Sequence, residues 1–383
     1  MRASFVSKTP DLTALRRDLH QHPELGFEEH RTKGVIAALL RDLGLEVHEG
    51  AGVVGLLRAG TSDRSIGLRA DMDALPIAEN TGHAYPSKRP GVMHACGHDG
   101  HMAMLLGAAA ELAARPDFDG TAVFIFQPAE EHGKGAQTLL AEGLLTRFPL
   151  QEVYAIHNLP GTPLGQVLTR PGLICASESL FEINLTGQGG HSALPHMCRD
   201  ALTIGAELVQ ALQLICARRL APGSGAVLSV TEFLTDGQRN VLPGEVRLKG
   251  DVRARSAADR DLIESLMRQT ARGIAGAHGA AAKLSFTTEF IETENAPEPT
   301  DAALRAARAL DMTTLHPCAP MSFSEDFARL TAQVPGCFIL LGNGTQGAHG
   351  QPLHAAEYDF NDDLLPIGAA FWAQLVRQQL PRA

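Results

Sequence analysis

The chain has 383 residues, of which 44% are apolar, with a formal net charge of −10 and a pI near 5.9. This length predicts two or three domains with ordinary globular cores, and an acidic balance without a Lys/Arg-rich run predicts no nucleic-acid or membrane partner. Six scattered cysteines, no signal-peptide pattern and no apolar run of about 18 residues predict a cytoplasmic protein without structural disulfides.

The first part of the chain alternates helical and strand patterns. Helical periodicity over residues 11–21 and 32–43 is interrupted at Pro23 and Gly26. Residues 121–126, T-A-V-F-I-F, form a continuous apolar run after the threonine, as in a strand buried on both faces. This alternation predicts an α/β domain with a mixed, mostly parallel sheet, whose site residues lie beyond the carboxyl ends of the strands. The predicted strands are 52–57, 65–70, 121–126 and 153–157, and an apolar helix is predicted at 102–114.

The middle of the chain follows a different order, strand–helix–strand–strand–helix–strand, which is the ferredoxin-like βαββαβ pattern of a small α+β domain. The α/β pattern then returns, after an acidic, Pro-containing stretch at 292–300 that we interpret as a linker. We therefore predict a larger domain in two parts, 1–178 and 292–383, with an inserted domain at 179–291. The predicted elements of the insert are the strands 180–187, 226–234, 245–254 and 283–290 and the helices 199–219 and 257–277; a helix at 302–310, a strand at 337–341 and a helix from 362 follow it.

Residues 93–101, M-H-A-C-G-H-D-G-H, hold one cysteine, three histidines and one aspartate. Cys96 and His98 are two positions apart, so on an irregular segment both side chains can reach one point. A thiolate and an imidazole are ligands that suit zinc, cobalt, manganese or iron. Because the apolar helix follows at once, we predict a loop at a helix N-terminus, where the dipole favours a thiolate. A cap loop that is merely rich in histidine is the alternative.

Two acidic pairs follow predicted strands. Asp71 and Asp73 alternate at the end of a strand, so their side chains share a face. One carboxylate there can orient a metal-bound imidazole, and we take Asp73 as the candidate. Glu130 and Glu131 lie on a turn after a strand. Hydrolysis at a metal needs one carboxylate to hold the ion and another to move a proton from water to the leaving nitrogen. Capping aspartates and a solvated acidic turn are the alternatives.

Two further histidines follow apolar segments. His157 closes V-Y-A-I-H, and His354 lies in P-L-H-A-A-E-Y. Either one alone is typical of a packed, hydrogen-bonded histidine. Together with Cys96, His98 and Glu131 they make five ligand-type residues, which is enough for two ions that share a bridging water.

As a set, the motifs resemble the M20 metallopeptidase family. The closer resemblance is to its amidohydrolase branch of N-acyl-L-amino acid amidohydrolases, hippurate hydrolases and IAA-amino acid (auxin-conjugate) hydrolases. It extends from about residue 19 to residue 363, and the motifs are specific jointly rather than singly. They are H-A-C-G-H-D-G-H, L-R-A-D-M-D-A-L-P, Q-P-A-E-E, G-Q-G-G-H-S-A-L-P-H, S-E-D-F and P-L-H-A-A-E-Y-D-F-N-D.

The resemblance implies a catalytic larger domain with two divalent metal ions per chain, Mn, Zn or Co, and an inserted lid or dimerisation domain. It implies Glu130 as general base and acid. His191, in the glycine-rich G-Q-G-G-H-S turn, would stabilise the oxyanion, commonly in the partner subunit's site; a turn cap is the alternative. Asn240 and Arg253 would match substrate-contacting positions of the insert. The implied metal ligands are Cys96, His98, Glu131, His157 and His354.

We therefore expect a binuclear metal-dependent amidohydrolase that cleaves the amide of a small-molecule N-acyl amino acid and forms a homodimer or a higher homo-oligomer. A dipeptidase, a carboxypeptidase or an N-acetyl-diaminopimelate deacetylase of the same fold is the alternative. A non-enzymatic homologue would be expected to lack Glu130 or a ligand, and both are present. Two departures from the branch pattern bear on the choice of substrate: His132 stands where glycine is usual, and residues 175–178 differ.

Overall fold

The computed structural model describes residues 10–382. By their internal contacts these residues form two compact units. The larger unit is built from the chain up to Ile174, from Thr293–Ala319 and from Asp326 onward. The inserted unit comprises Cys175–Glu292 and Pro320–Glu325. Its short second piece lies in a region that the sequence analysis assigns to the larger domain.

The first part of the larger unit surrounds one core helix with strands and surface helices. α1 begins where the Asp11 carboxylate accepts the backbone N–H of Ala14 at 3.0 Å, a usual N-cap. α3 is apolar on nearly every side and almost wholly buried, as expected of a helix enclosed in a core. The helices are α1 (Leu12–Gln21), α2 (His30–Asp42), α3 (His98–Ala114), α4 (Gly135–Ala141) and α5 (Leu144–Arg147), and the strands are β1 (Glu46–Glu49), β2 (Val53–Ala59), β3 (Ser65–Asp71), β4 (Gly120–Gln127), β5 (Glu152–Pro160), β6 (Val167–Leu168) and β7 (Gly172–Cys175).

The inserted unit has the predicted ferredoxin-like order of elements. They are β8 (Ser177–Thr186), β9 (Gly190–His191), α6 (Ala201–Arg218), β10 (Val227–Thr235), β11 (Val241–Leu242), β12 (Glu245–Ala254), α7 (Ala257–Ala277) and β13 (Ala281–Phe290). The four long strands form an antiparallel sheet in the order β10-β12-β8-β13. Because β8 alternates buried and exposed positions, one face of the sheet can pack on α6 and α7, where Ile183, Leu208 and Met267 belong to the core.

Helix α6 is the one described helix whose length and composition would allow it to cross a membrane, with 18 residues and a mean hydropathy of 1.2. It contains Glu207, so it is not an unbroken apolar run. Its face with Ile204, Leu208 and Leu212 lies in the core of the inserted unit. Core helices of soluble proteins pass the same test, so a single helix of this kind is weak evidence for a membrane span.

The chain then returns to the larger unit with more regular structure than predicted. The interpretation of residues 292–300 as a linker is wrong, because Thr293–Asn295 form a strand that pairs with β7 and a helix begins at Pro297. Proline suits the first turn of a helix, where its fixed φ fits and no N–H is needed. The elements are β14 (Thr293–Asn295), α8 (Pro297–Ala309), β15 (Thr314–Leu315), α9 (Ala328–Thr331), β16 (Gly336–Gly344) and α10 (Leu364–Gln379).

An eight-stranded sheet forms the centre of the larger unit, in the order β1-β2-β4-β3-β5-β16-β6-β15. The four central strands β4, β3, β5 and β16 run parallel, and antiparallel pairings occur toward both edges. The predicted α/β class with a mixed, mostly parallel sheet is therefore confirmed. Because β3, β4 and β5 are parallel neighbours, their carboxyl ends lie at one edge of the sheet. Asp71, Gln127 and His157 lie at or near those ends.

Candidate metal centre

The side chains predicted as metal ligands converge in the larger unit. Their donor atoms fall into overlapping groups within which all atoms lie less than 4.8 Å apart. Among the described residues these groups are Cys96–His98–His157, Cys96–Glu131–His354, His98–Glu130–Glu131 and Asp71–His98–His101.

A sharp turn at Gly97 lets both Cys96 and His98 enter this cluster. Gly97 has φ +91°, and a Cβ there would lie 2.4 Å from Oδ1 of Asn158 and 2.5 Å from the Tyr358 hydroxyl. Only glycine fits both restrictions. The prediction of a loop over 93–101 is wrong from His98 onward, because these residues form the first turn of α3. Asp99 lies in that turn, where a carboxylate is favourable for the helix dipole.

The donor atoms of the cluster lie close enough to one another to bind a common ion. Sγ of Cys96 lies 3.4 Å from Nε2 of His157. Oε1 of Glu131 lies 3.8 Å from Nε2 of His98 and 3.5 Å from Nε2 of His354, so this carboxylate stands between two imidazoles. Cys96, His98 and His157 are buried. The side chain of His354 is 51% exposed and therefore marks the open side of the cluster.

Two buried histidines are held with Nε2 toward the cluster. Nδ1 of His98 bonds the backbone oxygen of Asp73 at 2.8 Å, and Nδ1 of His157 bonds that of Asn158 at 2.7 Å. A carbonyl oxygen only accepts, so each Nδ1 donates and each neutral ring keeps its lone pair on Nε2. Metal-binding histidines are usually oriented in this way. Asp73 also accepts the backbone N–H of Glu131 with Oδ2 at 3.0 Å.

The electrostatics of the cluster favour a bound cation. Burial raises the pKa of the Cys96 thiol well above its usual value, and the carboxylates of Glu131 and Glu130 raise it further. Burial alone would lower the pKa of His98, but the nearby Asp71, Asp73 and Glu131 outweigh it and raise that pKa to about 10. Without a metal, the protonated His98 thus partly neutralises this acidic site, as does Arg69, which forms an ion pair with Asp71 at 2.7 Å.

The donor set fits a divalent metal. Nε2 of His98 and Oε1 of Glu131 are buried and make no hydrogen bond, although buried polar atoms are normally paired. Burial, with His101, lowers the pKa of His157 well below its usual value, so this imidazole is neutral and able to ligate. Thiolate, imidazole and carboxylate together suit zinc, manganese or cobalt.

Glu130 lies beside the ligand candidates on the turn that follows β4. Its side chain is nearly buried, and Oε1 accepts the backbone N–H of Asp326 at 3.2 Å. The residue before it, Ala129, has φ +49°, a left-handed conformation that is uncommon without glycine. The turn thereby brings two adjacent carboxylates into one cluster with His98.

A buried hydrogen-bonded chain behind the cluster was missed by the sequence analysis. Oδ1 of Asp71 lies 2.7 Å from Nδ1 of His101, whose Nε2 lies 2.8 Å from Oδ1 of Asn158. Nδ2 of Asn158 donates to the Tyr358 hydroxyl at 2.6 Å. Burial alone would raise the pKa of Asp71, but His98 and other nearby cations lower it well below its usual value. His101 belonged to the recognised motif, whereas nothing in the local sequence distinguishes Asn158.

The remaining predicted residues belong to the inserted unit. His191 is exposed on β9, where it pairs with Val241 of β11, and its Nδ1 accepts the backbone N–H of Ala193 at 3.1 Å. Asn240 is exposed beside that pair.

Arg253 is half-buried on β12 of the same unit. Its guanidinium forms ion pairs with Glu178 and with Asp251, the latter at 2.8 Å, and bonds Oγ of Ser324 at 3.1 Å. This arginine is therefore already engaged by two carboxylates.

The profile of peptidase family M20/M25/M40 matches residues 67–378. Thermostable carboxypeptidase 1 of Saccharolobus solfataricus is 35% identical over 94% of this chain and 93% of its own length. The hippurate hydrolase of Campylobacter jejuni is 36% identical over 96% of both chains. An N-acetyldiaminopimelate deacetylase of Shouchella clausii is 33% identical over 91% of this chain and 94% of its own.

Two solved structures share the whole architecture. An aminohydrolase from methicillin-resistant Staphylococcus aureus superimposes with a TM-score of 0.91 at 33% identity, covering 98% of this chain and 97% of the other. The YXEP protein of Bacillus subtilis, described as a dinuclear metal-binding peptidase from the M20 family, gives a TM-score of 0.84 at 32% identity, covering 96% and 97%.

Proposed function

The chain belongs to peptidase family M20/M25/M40, and from this premise we propose that it hydrolyses N-acyl amino acids, of the hippurate or auxin-conjugate kind, to a carboxylate and a free amino acid. It is a metal-dependent amidohydrolase. The observation that carries the proposal is the convergence of five ligand-type side chains beside a further buried carboxylate, Glu130.

Two divalent ions fit this donor set, and we assign their ligands to the five predicted residues. The two overlapping groups Cys96–His98–His157 and Cys96–Glu131–His354 would hold them. When bound, such ions polarise the amide carbonyl and make a water acidic enough to attack at neutral pH. The ligands are Cys96, His98, Glu131, His157 and His354.

Glu130 is the proposed general base and acid. A carboxylate oxygen of Glu130 lies within 4.8 Å of the ligand atoms of His98 and Glu131. The five proposed ligands do not include Glu130, so its carboxylate is available for proton transfer. In the reaction it takes a proton from the attacking water and later returns it to the leaving nitrogen. The N–H of Asp326 holds Oε1, which keeps the carboxylate in one orientation during both transfers.

The inserted unit is proposed to contact the rest of the substrate. His191 would donate to the developing oxyanion, an interaction that is strongest in the transition state, and Asn240 and Arg253 would contact the amino acid portion. We further propose a cytoplasmic homodimer in which each inserted unit serves the partner's site. The exposure of His191 and Asn240 supports their availability for such contacts.

A second candidate function is the cleavage of a dipeptide or of N-acetyldiaminopimelate. It is favoured by the ion pairs of Arg253 with Glu178 and Asp251. Two carboxylates against one guanidinium leave this position with excess negative charge. Such a position would suit a substrate with an amino group better than one that offers only a carboxylate.

A substrate panel tests the two candidates. Protein loaded with Mn²⁺, Zn²⁺ or Co²⁺ is assayed with hippurate, N-acetyl amino acids, an auxin conjugate, dipeptides and N-acetyldiaminopimelate. Metal-stripped protein and Glu130→Gln are the controls. The proposal expects the highest kcat/KM for a simple N-acyl amino acid. Preference for a dipeptide or the diaminopimelate derivative would favour the second candidate, and no turnover of any amide would contradict both.

A further inference from the structure

Two of the three glutamates in the loop before α2, Glu24 and Glu29, bind different parts of the chain. Both oxygens of Glu24 accept backbone N–H groups from the first turn of α2, those of Arg31 at 3.0 Å and Thr32 at 2.8 Å. Glu29 occupies the N-cap position of that helix, but its side chain makes no capping bond. The usual task of an acidic residue at this position is thus performed by Glu24.

Glu29 instead reaches the turn that carries the catalytic glutamates. It is 1% exposed, and its Oε1 accepts the backbone N–H of Ala129 at 2.8 Å. Its second oxygen is buried and makes no hydrogen bond. Burying a carboxylate with one oxygen unpaired is unfavourable, so the fold must compensate for this placement elsewhere.

Ala129, the residue whose backbone N–H is bound by Glu29, has a strained backbone conformation. Ala129 has φ +49°, a conformation that is unfavourable for a residue other than glycine. Its carbonyl accepts the N–H of Gly135 at 3.2 Å, so both of its backbone groups are fixed. Glu130 and Glu131 follow directly, and their directions depend on the dihedral angles of Ala129.

Remote segments hold the rest of the same turn. Asp73 accepts the N–H of Glu131 at 3.0 Å, and the N–H of Asp326 bonds the Glu130 carboxylate at 3.2 Å. Gly26, in the loop of Glu29, leaves room for the ring of His132, which a Cβ would approach to 2.6 Å. The loop before α2 therefore contacts the turn at both of its ends.

We infer that Glu29 is a positioning residue, whose carboxylate holds Ala129 in its left-handed conformation and thereby sets the placement of Glu130 and Glu131. The inference rests on the proposed function for the roles of those two glutamates. Glu29 is not one of the proposed metal ligands, nor the proposed acid–base group. It acts only through the backbone of the turn.

Three variants test the inference. Glu29→Ala removes the acceptor, Glu29→Gln keeps an oxygen for the N–H of Ala129, and Glu24→Ala removes two bonds to α2 without touching the turn. Metal affinity is measured by Co²⁺ and Mn²⁺ titration, with kcat, KM and the melting temperature determined in parallel. Outer contacts of metal sites typically change affinity or activity by about 10–100-fold.

We expect Glu29→Ala to weaken metal binding and lower kcat by about 10-fold or more, with a smaller change in KM. Glu29→Gln should stay within about 3-fold of wild type, since amide oxygen replaces carboxylate oxygen. Glu24→Ala should lower the melting temperature and leave metal affinity and kcat unchanged. The inference is overturned if both alanine variants lose metal affinity in proportion to their loss of stability, or if Glu29→Gln is as impaired as Glu29→Ala. The metal titrations need no turnover, so they decide the inference even if the wild type cleaves none of the proposed amides.

Discussion

Asp73 accepts the backbone N–H of Glu131 at 3.0 Å with its carboxylate, while its own backbone carbonyl accepts Nδ1–H of His98 at 2.8 Å. Asp73, two positions after the end of β3, thus orients two ligand candidates that come from different segments of the chain. Oδ1 of Asp73 also lies 3.4 Å from Nδ1 of His98. Substitution of the side chain therefore removes the bond to Glu131 and this ion pair, and it leaves the carbonyl bond to His98 in place.

Asp73→Ala is therefore expected to weaken metal binding by about 10–100-fold, because the N–H of Glu131 loses its acceptor while the carbonyl bond to His98 remains. Asp73→Asn should be milder, since its amide oxygen can still accept. Mn²⁺ titration of both variants measures the difference. Wild-type affinity in Asp73→Ala would show that Glu131 needs no such support.

Metal loading is expected to release protons. In the metal-free protein the raised pKa values of Cys96 and His98 keep both side chains protonated at pH 7.5. A ligand must lose its proton before it can bind a cation, so filling the site should release about two protons per chain. Calorimetric titration in buffers of different ionisation enthalpy counts them. Chelation should abolish activity, and metal analysis should approach two ions per chain; full activity without detectable metal would contradict the mechanism.

Glu130→Gln is expected to lower kcat by about 10²–10⁴-fold with nearly normal metal content. The amide keeps the size of the side chain and can still accept the N–H of Asp326, but it cannot take a proton from water. Glu131→Gln is the matched control and should lose metal. The opposite pattern, with metal lost from Glu130→Gln and kept by Glu131→Gln, would reverse the two assigned roles.

His191→Ala is expected to lower kcat by about 10²–10³-fold with little change in metal content, as for loss of an oxyanion donor. The decisive experiment mixes it with Glu130→Gln under conditions that exchange subunits. If His191 acts in the partner's site, a mixed dimer has one site with both defects and one intact site, so activity returns. A mixture that exchanges subunits and stays inactive would exclude action in trans.

We expect His20 to make the stability of the larger unit depend on pH. Burial lowers its pKa, but the hydrogen bond to Asp99 at 2.9 Å and the ion pair with Glu79 at 3.4 Å outweigh this and raise the pKa to about 9. A raised pKa stabilises the fold fully below about pH 6.5, the unfolded value, and this contribution is lost as the pH rises through about 9. His20→Asn should therefore reduce the free energy of unfolding more at pH 6 than at pH 10, by about 3 kcal/mol at most.

Urea unfolding of the wild type and His20→Asn at pH 6 and pH 10 measures this difference. His22→Asn, in the same segment but partly exposed, is the control. An equal loss of stability at both pH values would mean that packing of the ring, rather than its charge, is what His20 contributes.

The parts of the fold that were predictable are those with local signals. The strand 121–126 is a continuous apolar run, and β4 lies there; the βαββαβ order of the insert came from periodicity and turns alone. β14 was missed because three residues beside a proline carry no strand pattern, and their pairing with β7 depends on tertiary contact.

In the candidate site, too, the residues that share a local motif were predictable and the contacts between distant residues were not. Cys96 and His98 share one motif, so their convergence could be foreseen, while grouping them with His157 and His354 relied on residue type and on the family resemblance. The contacts that orient these residues had no such signal. Glu29 and Ala129 are 100 positions apart, and neither residue type suggests the hydrogen bond between them. Contacts of this kind follow only from the packed fold.

The parallel pairing of β16 with β5 spans the whole inserted unit, since Gly336 is in register with Val153. This pairing has a consequence for the order of events during synthesis on the ribosome. β5 emerges long before its neighbour, and the inserted unit, with its own core, can fold while the central sheet is still incomplete. His354 emerges later still, after the other four ligand candidates. A nascent chain therefore presents an incomplete set of metal ligands until His354 has been synthesised, and the metal centre can assemble only after the inserted unit has emerged.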